Sequence, residues 1–195
     1  MSLVLFTTGV ILGILLAETR LSRAHERRLR EHGAVMPSGD VYVALLVLYP
    51  SAFVLMGAEG VWRASETERH GLSLATAGGP SWLASGIVMF VASKILKYWA
   101  IRSLGDRWTF RVFVVPDAPL VTTGPYRYVT HPNYIAVIGE LIGTAMMVGA
   151  PVSGPLMLGA FGVALRARVK FENQILRTIA DAAASRGRTH GSGIT

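Results

Sequence analysis

The sequence predicts an all-α, polytopic membrane bundle of about five helices, closing with a C-terminal helical hairpin. Two observations carry this expectation. Hydrophobic residues make up 51% of the 195-residue chain and charged residues only 16%, whereas a soluble domain carries about 25% charged residues. The mean hydropathy is +0.44, and the charges fall between long apolar runs. A formal net charge of +7 would suggest nucleic acid in a soluble protein. Here the positive-inside rule accounts for it, and no nucleic-acid partner is implied. The chain has no cysteine, which excludes a disulfide framework, cysteine-ligated metal and a thiol nucleophile.

The first span is expected at about Leu3–Ala17, extended by a lipid-facing turn at Glu18–Leu21. No Lys or Arg precedes this apolar run and no small-residue cleavage site follows it, so it reads as a retained span. The second is expected from Val41 to Val61 and the third from Trp82 to Ile101. The last two, Tyr134–Ala150 and Val152–Leu165, are separated only by Pro151 and read as a tight hairpin. A helix needs ~20 residues to cross a ~30 Å hydrocarbon core, so both are short for full spans, and residues beyond Leu165 can lengthen the last. Gly139, Gly143, Gly149, Gly154, Gly159 and Gly162 suit close helix approach, or else are lipid-tolerant filler. A single domain is expected over 1–184, with 185–195 a Gly/Ser-rich flexible tail.

Orientation follows from Lys and Arg. Five lie after the first span, two after the second, six around and after the third, none in the hairpin turn and six after the last. With the N-terminus outside and the C-terminus cytoplasmic, seventeen fall inside and two outside. The expected membrane is a bacterial inner membrane. The segment 103–133 then faces the cytoplasm, too long for a simple linker and too aromatic to be disordered.

Three features could carry chemistry. Tyr126, Arg127, Tyr128, His131 and Tyr134 crowd the start of the fourth span, where Pro132 fits the first turn of a helix. Glu140 lies inside that span; an intramembrane acid suggests a functional site, or else a structural pair with Lys94, Lys97 or Arg168. Arg168 and Glu172 share one face of a helix continuing from the last span. The five histidines show no metal-ligand spacing, and no metal is implied.

These features, in this order, resemble the isoprenylcysteine carboxyl methyltransferase family over about residues 104–176. Its members are integral-membrane, S-adenosylmethionine-dependent enzymes with a Leu-Val-x-x-Gly-x-Tyr element, an Arg-His-Pro-x-Tyr element and an Arg-x-x-x-Glu-Glu element. Here these read Leu120–Tyr126, Thr130–Tyr134 and Arg168–Asn173. The resemblance implies a cofactor pocket of Pro119, Leu120, Val121, Tyr126, His131, Pro132, Asn133, Tyr134 and Glu172, with Arg111 a further contact. It implies Arg168 beside the reacting oxygen, and a lipophilic acceptor arriving through the bilayer. Glu140 or Glu172 would serve as base if the acceptor were a phenol. Thr130 stands where the family has arginine and Asn173 where it has a second glutamate, which points to a different acceptor. The pattern looks closest to a bacterial branch associated with O-methylation of alkylpyrones and alkylresorcinols, which are polyketide lipids. Two other readings stay open: an NADPH-dependent membrane reductase of the sterol-reductase type, and a small transporter without catalysis.

Overall fold

In a computed structural model the described residues form five α-helices. Residues 1–37, 42–69, 79–115, 119 and 121–191 are described. The helices are α1 (Ser2–Glu31), α2 (Tyr42–Arg69), α3 (Gly79–Leu104), α4 (Pro132–Val148) and α5 (Ser153–Gly191). Among the described residues there is no β-strand, only an antiparallel bridge in which Val35 and Val114 exchange backbone hydrogen bonds of 2.9 Å. Helices α1, α2 and α3 are each long and apolar enough to cross a membrane, and α4 is a shorter apolar helix. The apolar start of α5 runs without a break into the Arg166–Glu172 segment and on to Gly191, past the expected start of the tail.

The helices alternate in direction. At one end of the bundle the N-terminal amine of α1 pairs with Glu68 of α2 at 3.2 Å. At the same end Glu59 accepts hydrogen bonds from the backbone N–H groups of Val152 and Ser153, at 3.1 and 2.7 Å. These are among the donors a helix start leaves unpaired, and a carboxylate there also meets the positive end of the helix dipole. The basic end, opposite, holds the C-terminal half of α1, the 105–131 connection and the later turns of α5.

The expected hairpin has a tight turn, with Gly149 at φ 68° closing α4. Its two helices, however, pack mainly on others: α4 on α3, and α5 on α2. Gly139 and Gly143 therefore serve the α3–α4 seam. A Cβ at Gly143 would stand 2.8 Å from the Gly86 carbonyl, and one at Gly139 would stand 2.1 Å from Ser93 Oγ. Gly154 lets α5 approach Ala145, whereas Gly159 and Gly162 face open space.

Two expectations about charge change. Glu18, expected to face lipid, is 2% exposed, and Lys94 and Lys97 are not loop charges but project into the bundle with it. Arg63 and Arg69 remain the only basic side chains assigned to the opposite end, so the charge asymmetry persists without the two lysines.

Candidate functional site

The basic end of the bundle surrounds a cavity of about 550 Å³, lined from α1, α2, α3, the connection, α4 and α5. At its outer end α4 begins with His131 as N-cap and Pro132 at the first position. The fixed φ of Pro132 suits that place, and Tyr134 follows within the same turn. From α5, the i, i+4 pair Arg168 and Glu172 points at the same spot. Tyr134 donates its hydroxyl to Glu172 Oε1 at 2.5 Å, and Arg168 Nε donates to the same carboxylate oxygen at 2.8 Å and to the Tyr134 hydroxyl at 3.2 Å. His131 stacks on Tyr134 with ring centroids 5.4 Å apart. Its Nδ1 lies 3.4 Å from Glu172 Oε2, and its Nε2 donates to Asn173 Oδ1 at 3.0 Å as that amide is oriented.

Electrostatics follow from these contacts. Both ring nitrogens of His131 face acceptors, and the hydrogen bond to Glu172 raises its pKa above the usual histidine value despite burial. Burial by itself would raise the Glu172 carboxyl. The hydrogen bond from His131, the charge of Arg168 and the Tyr134 hydroxyl outweigh it and hold Glu172 below the usual carboxylate range. Burial, with the nearby Glu172 charge, pushes the Tyr126 phenol up. The result is an ionised carboxylate at the cavity wall, held in place by three side chains.

Residues 107–115 line the cavity, and α1, continuing beyond its expected span, anchors them. The Phe110 amide donates to Ser22 Oγ at 2.9 Å, and His25 Nδ1 donates to the Trp108 carbonyl at 2.8 Å. Trp108, 2% exposed, donates its indole N–H to Asn133 Oδ1 at 3.3 Å. Arg168 reaches the Phe110 carbonyl at 2.9 Å, tying α5 to the same connection. The turn leading to Tyr126 needs Gly124, whose φ is +61° and whose missing side chain leaves room for Ser103.

Of the residues singled out in the sequence, Pro119, Val121, Tyr126, His131, Asn133, Tyr134, Arg168 and Glu172 line the cavity, and Arg111 lines it as well. Pro132 is buried behind the wall as the helix start. Leu120 lies outside the described residues. Glu140 is fully buried, is not among the residues lining the cavity, and lies apart from the Arg168–Glu172 cluster. It takes the Tyr49 hydroxyl and lies 3.3 Å from Lys97 Nζ and 3.0 Å from Lys94 Nζ, while both lysines also pair with Glu18 at 2.7 Å. Of the pairings weighed for Glu140, those with Lys94 and Lys97 form and the one with Arg168 does not. Sequence reading missed Trp108, Tyr49 and Lys97 as wall residues. Lys97, a cation in an apolar run, was the available signal. The two departures from the family pattern also find places: Asn173 keeps an acceptor oxygen for His131, and Thr130 lines the cavity.

A helical membrane bundle with an ionic, aromatic cluster at one end of a largely apolar cavity defines a membrane protein equipped to hold a polar and an apolar ligand side by side. Residues 86–178 match the isoprenylcysteine carboxyl methyltransferase (ICMT) family, a family of membrane methyltransferases. The chain is 27% identical over 161 residues to the uncharacterized protein YpbQ of Bacillus subtilis (strain 168), covering 83% of this chain and 89% of that one. It is 24% identical over 175 residues to an uncharacterized protein of Haemophilus influenzae, covering 87% and 92% of the two chains. No solved structure matches.

Proposed function

We propose that the protein is an S-adenosylmethionine-dependent O-methyltransferase acting on a lipophilic acceptor, a carboxylate or an acidic enol or phenol of a prenylated or polyketide lipid. The observation that carries this reading is the Tyr134–Glu172–Arg168–His131 cluster on the wall of a cavity that continues into the apolar bundle. Its volume falls in the ~300–1,000 Å³ range of small-molecule sites. The residues suit the cofactor: Glu172 is an ionised carboxylate for its cationic part, and Tyr126, Tyr134 and Trp108 offer aromatic faces. When bound, S-adenosylmethionine supplies an electrophilic methyl group.

Methyl transfer demands alignment more than acid–base power. Arg168, held by Glu172 and the Phe110 carbonyl, presents its guanidinium from the α5 side to orient an acceptor oxygen. His131 and Asn133, with Pro119 and Val121 opposite, shape the cofactor side, and Leu120 is proposed to join them. The basic end faces the cytoplasm, where a water-soluble cofactor enters, while the acceptor arrives from the bilayer.

Equilibrium binding of radiolabelled S-adenosylmethionine to protein purified in detergent tests the reading. Wild type binds, and Glu172→Gln weakens binding about 10- to 100-fold, the scale of a hydrogen bond to a charged group. Absence of binding, with tight NADPH binding in its place, overturns the proposal in favour of a reductase.

A further inference from the structure

The buried ion network at the inner end of the cavity has no part in the chemistry proposed above, yet it reaches the cavity wall. Tyr49 and Lys97 both line that inner end, and Lys97 Nζ donates to the Tyr49 hydroxyl at 3.3 Å. Tyr49 donates its hydroxyl hydrogen to Glu140. A phenol has one hydrogen to give and two lone pairs to offer. Here the hydrogen is committed to Glu140 and one lone pair is taken by Lys97. Tyr49 therefore has a lone pair left and nothing to donate.

The surrounding charges reinforce this polarity. Glu18 and Glu140 balance Lys94 and Lys97, so the network holds no surplus positive charge for an incoming anion. Leu15, Leu45, Pro50, Val137 and Phe161 make most of the rest of the inner wall apolar, with Thr19 beside them. Phe161 packs against Tyr49 with centroids 5.6 Å apart and lies two helical turns before Arg168. That places Tyr49 roughly 10 Å inward of Arg168 along α5. The two residues would thus meet different parts of one ligand.

We propose that Tyr49 is a specificity-determining residue: the inner end of the cavity takes a lipid whose buried part carries a neutral hydroxyl, which donates to Tyr49, and rejects a lipid with a carboxylate there. A carboxylate has no hydrogen to give and would set its charge against the Tyr49 lone pair and the nearby Glu140. The inference rests on the methyltransferase reading only in taking this lipid to be the acceptor. The hydrogen-bond polarity of the wall does not depend on a methyl donor.

The test is ligand binding to the full chain in nanodiscs, without cofactor, using dodecylphenol, dodecylbenzene and dodecylbenzoate as matched probes. Wild type binds the phenol about tenfold tighter than the alkylbenzene, the scale of one net hydrogen bond, and tighter than the benzoate. Tyr49→Phe brings the phenol down to the alkylbenzene and leaves S-adenosylmethionine affinity unchanged. Equal binding of phenol and alkylbenzene by wild type, tightest binding of the benzoate, or undiminished preference in Tyr49→Phe overturns the inference. If Tyr49→Phe does not fold, the wild-type ranking decides alone. Failure of wild type to bind S-adenosylmethionine sinks the methyltransferase reading but leaves this ranking standing, so the two failures are separable.

Discussion

Two clusters of nearly the same residue types face one cavity. In the inner one Tyr49 donates to Glu140, which Lys94 and Lys97 neutralise together with Glu18. In the outer one Tyr134 donates to Glu172, which Arg168 and His131 neutralise. The motif is the same, but the surroundings differ. Side chains of Glu18, Glu140 and Lys97 are 1% exposed, while those of Glu172 and His131 are about a fifth exposed, 19% and 20%. Two buried anions, the buried Lys97 and the 13%-exposed Lys94 hold α1, α3 and α4 together. The partly open cluster retains a face that a ligand can reach. A buried ion pair is weak evidence for net stability, but removing one partner leaves the others charged and unpaired.

The largest expected effect separates the two clusters on stability. Glu140→Ala strands Lys94 and Lys97 beside Glu18 alone and lowers stability by about 3–5 kcal/mol. Thermal unfolding in detergent measures this, and a wild-type midpoint would remove the structural assignment. A smaller loss, about 1–3 kcal/mol, is expected for Gly124→Ala, which forces a side chain into φ +61° against Ser103. Its effect should appear as weakened cofactor affinity as well as a lower midpoint, because Tyr126 sits in the same turn. A midpoint shift with full affinity would show that the turn does not position the site.

The smallest effect concerns pH and belongs to the outer cluster. His131 is raised from 6.5, so its contribution is complete below 6.5 and is lost as pH rises through its folded value. Glu172 is lowered from 4.5, so its contribution is complete above 4.5 and is lost as pH falls through its folded value. Stability from this pair is therefore full between those two values and declines on either side, by about 1 kcal/mol or less given the partial exposure. Melting curves across pH should show His131→Gln flattening the alkaline decline. An unchanged alkaline limb in that variant would mean that His131 is not the titrating group.

Much of the outer cluster was legible in the chain. His131-Pro132 announces a helix start, Tyr134 follows within one turn, and the four-residue spacing of Arg168 and Glu172 puts both on one face. Such local geometry depends on backbone periodicity alone. The inner cluster was not legible as a unit, because its members come from four helices with no shared motif. Lys94 and Lys97 count among the six basic residues around and after the third span, yet Lys97 lies seven residues inside the end of α3. Tyr49 lies seven residues inside the start of α2 and Glu140 eight inside the start of α4, so all three fall in one layer roughly 10–12 Å deep. That coincidence appears only once the helices have been assigned an end and a direction.

By itself the sequence determined the helical membrane class, the charge asymmetry between the two ends and the residues of the outer cluster. These follow from hydropathy and from spacing along single helices. The tertiary structure decided that Glu140 belongs with Lys97 rather than Arg168, that α4 packs on α3 rather than on its hairpin partner, and that Trp108 is held beneath α1. Each depends on which helix faces which, and that choice is settled by side-chain fit and charge pairing between segments far apart in the chain.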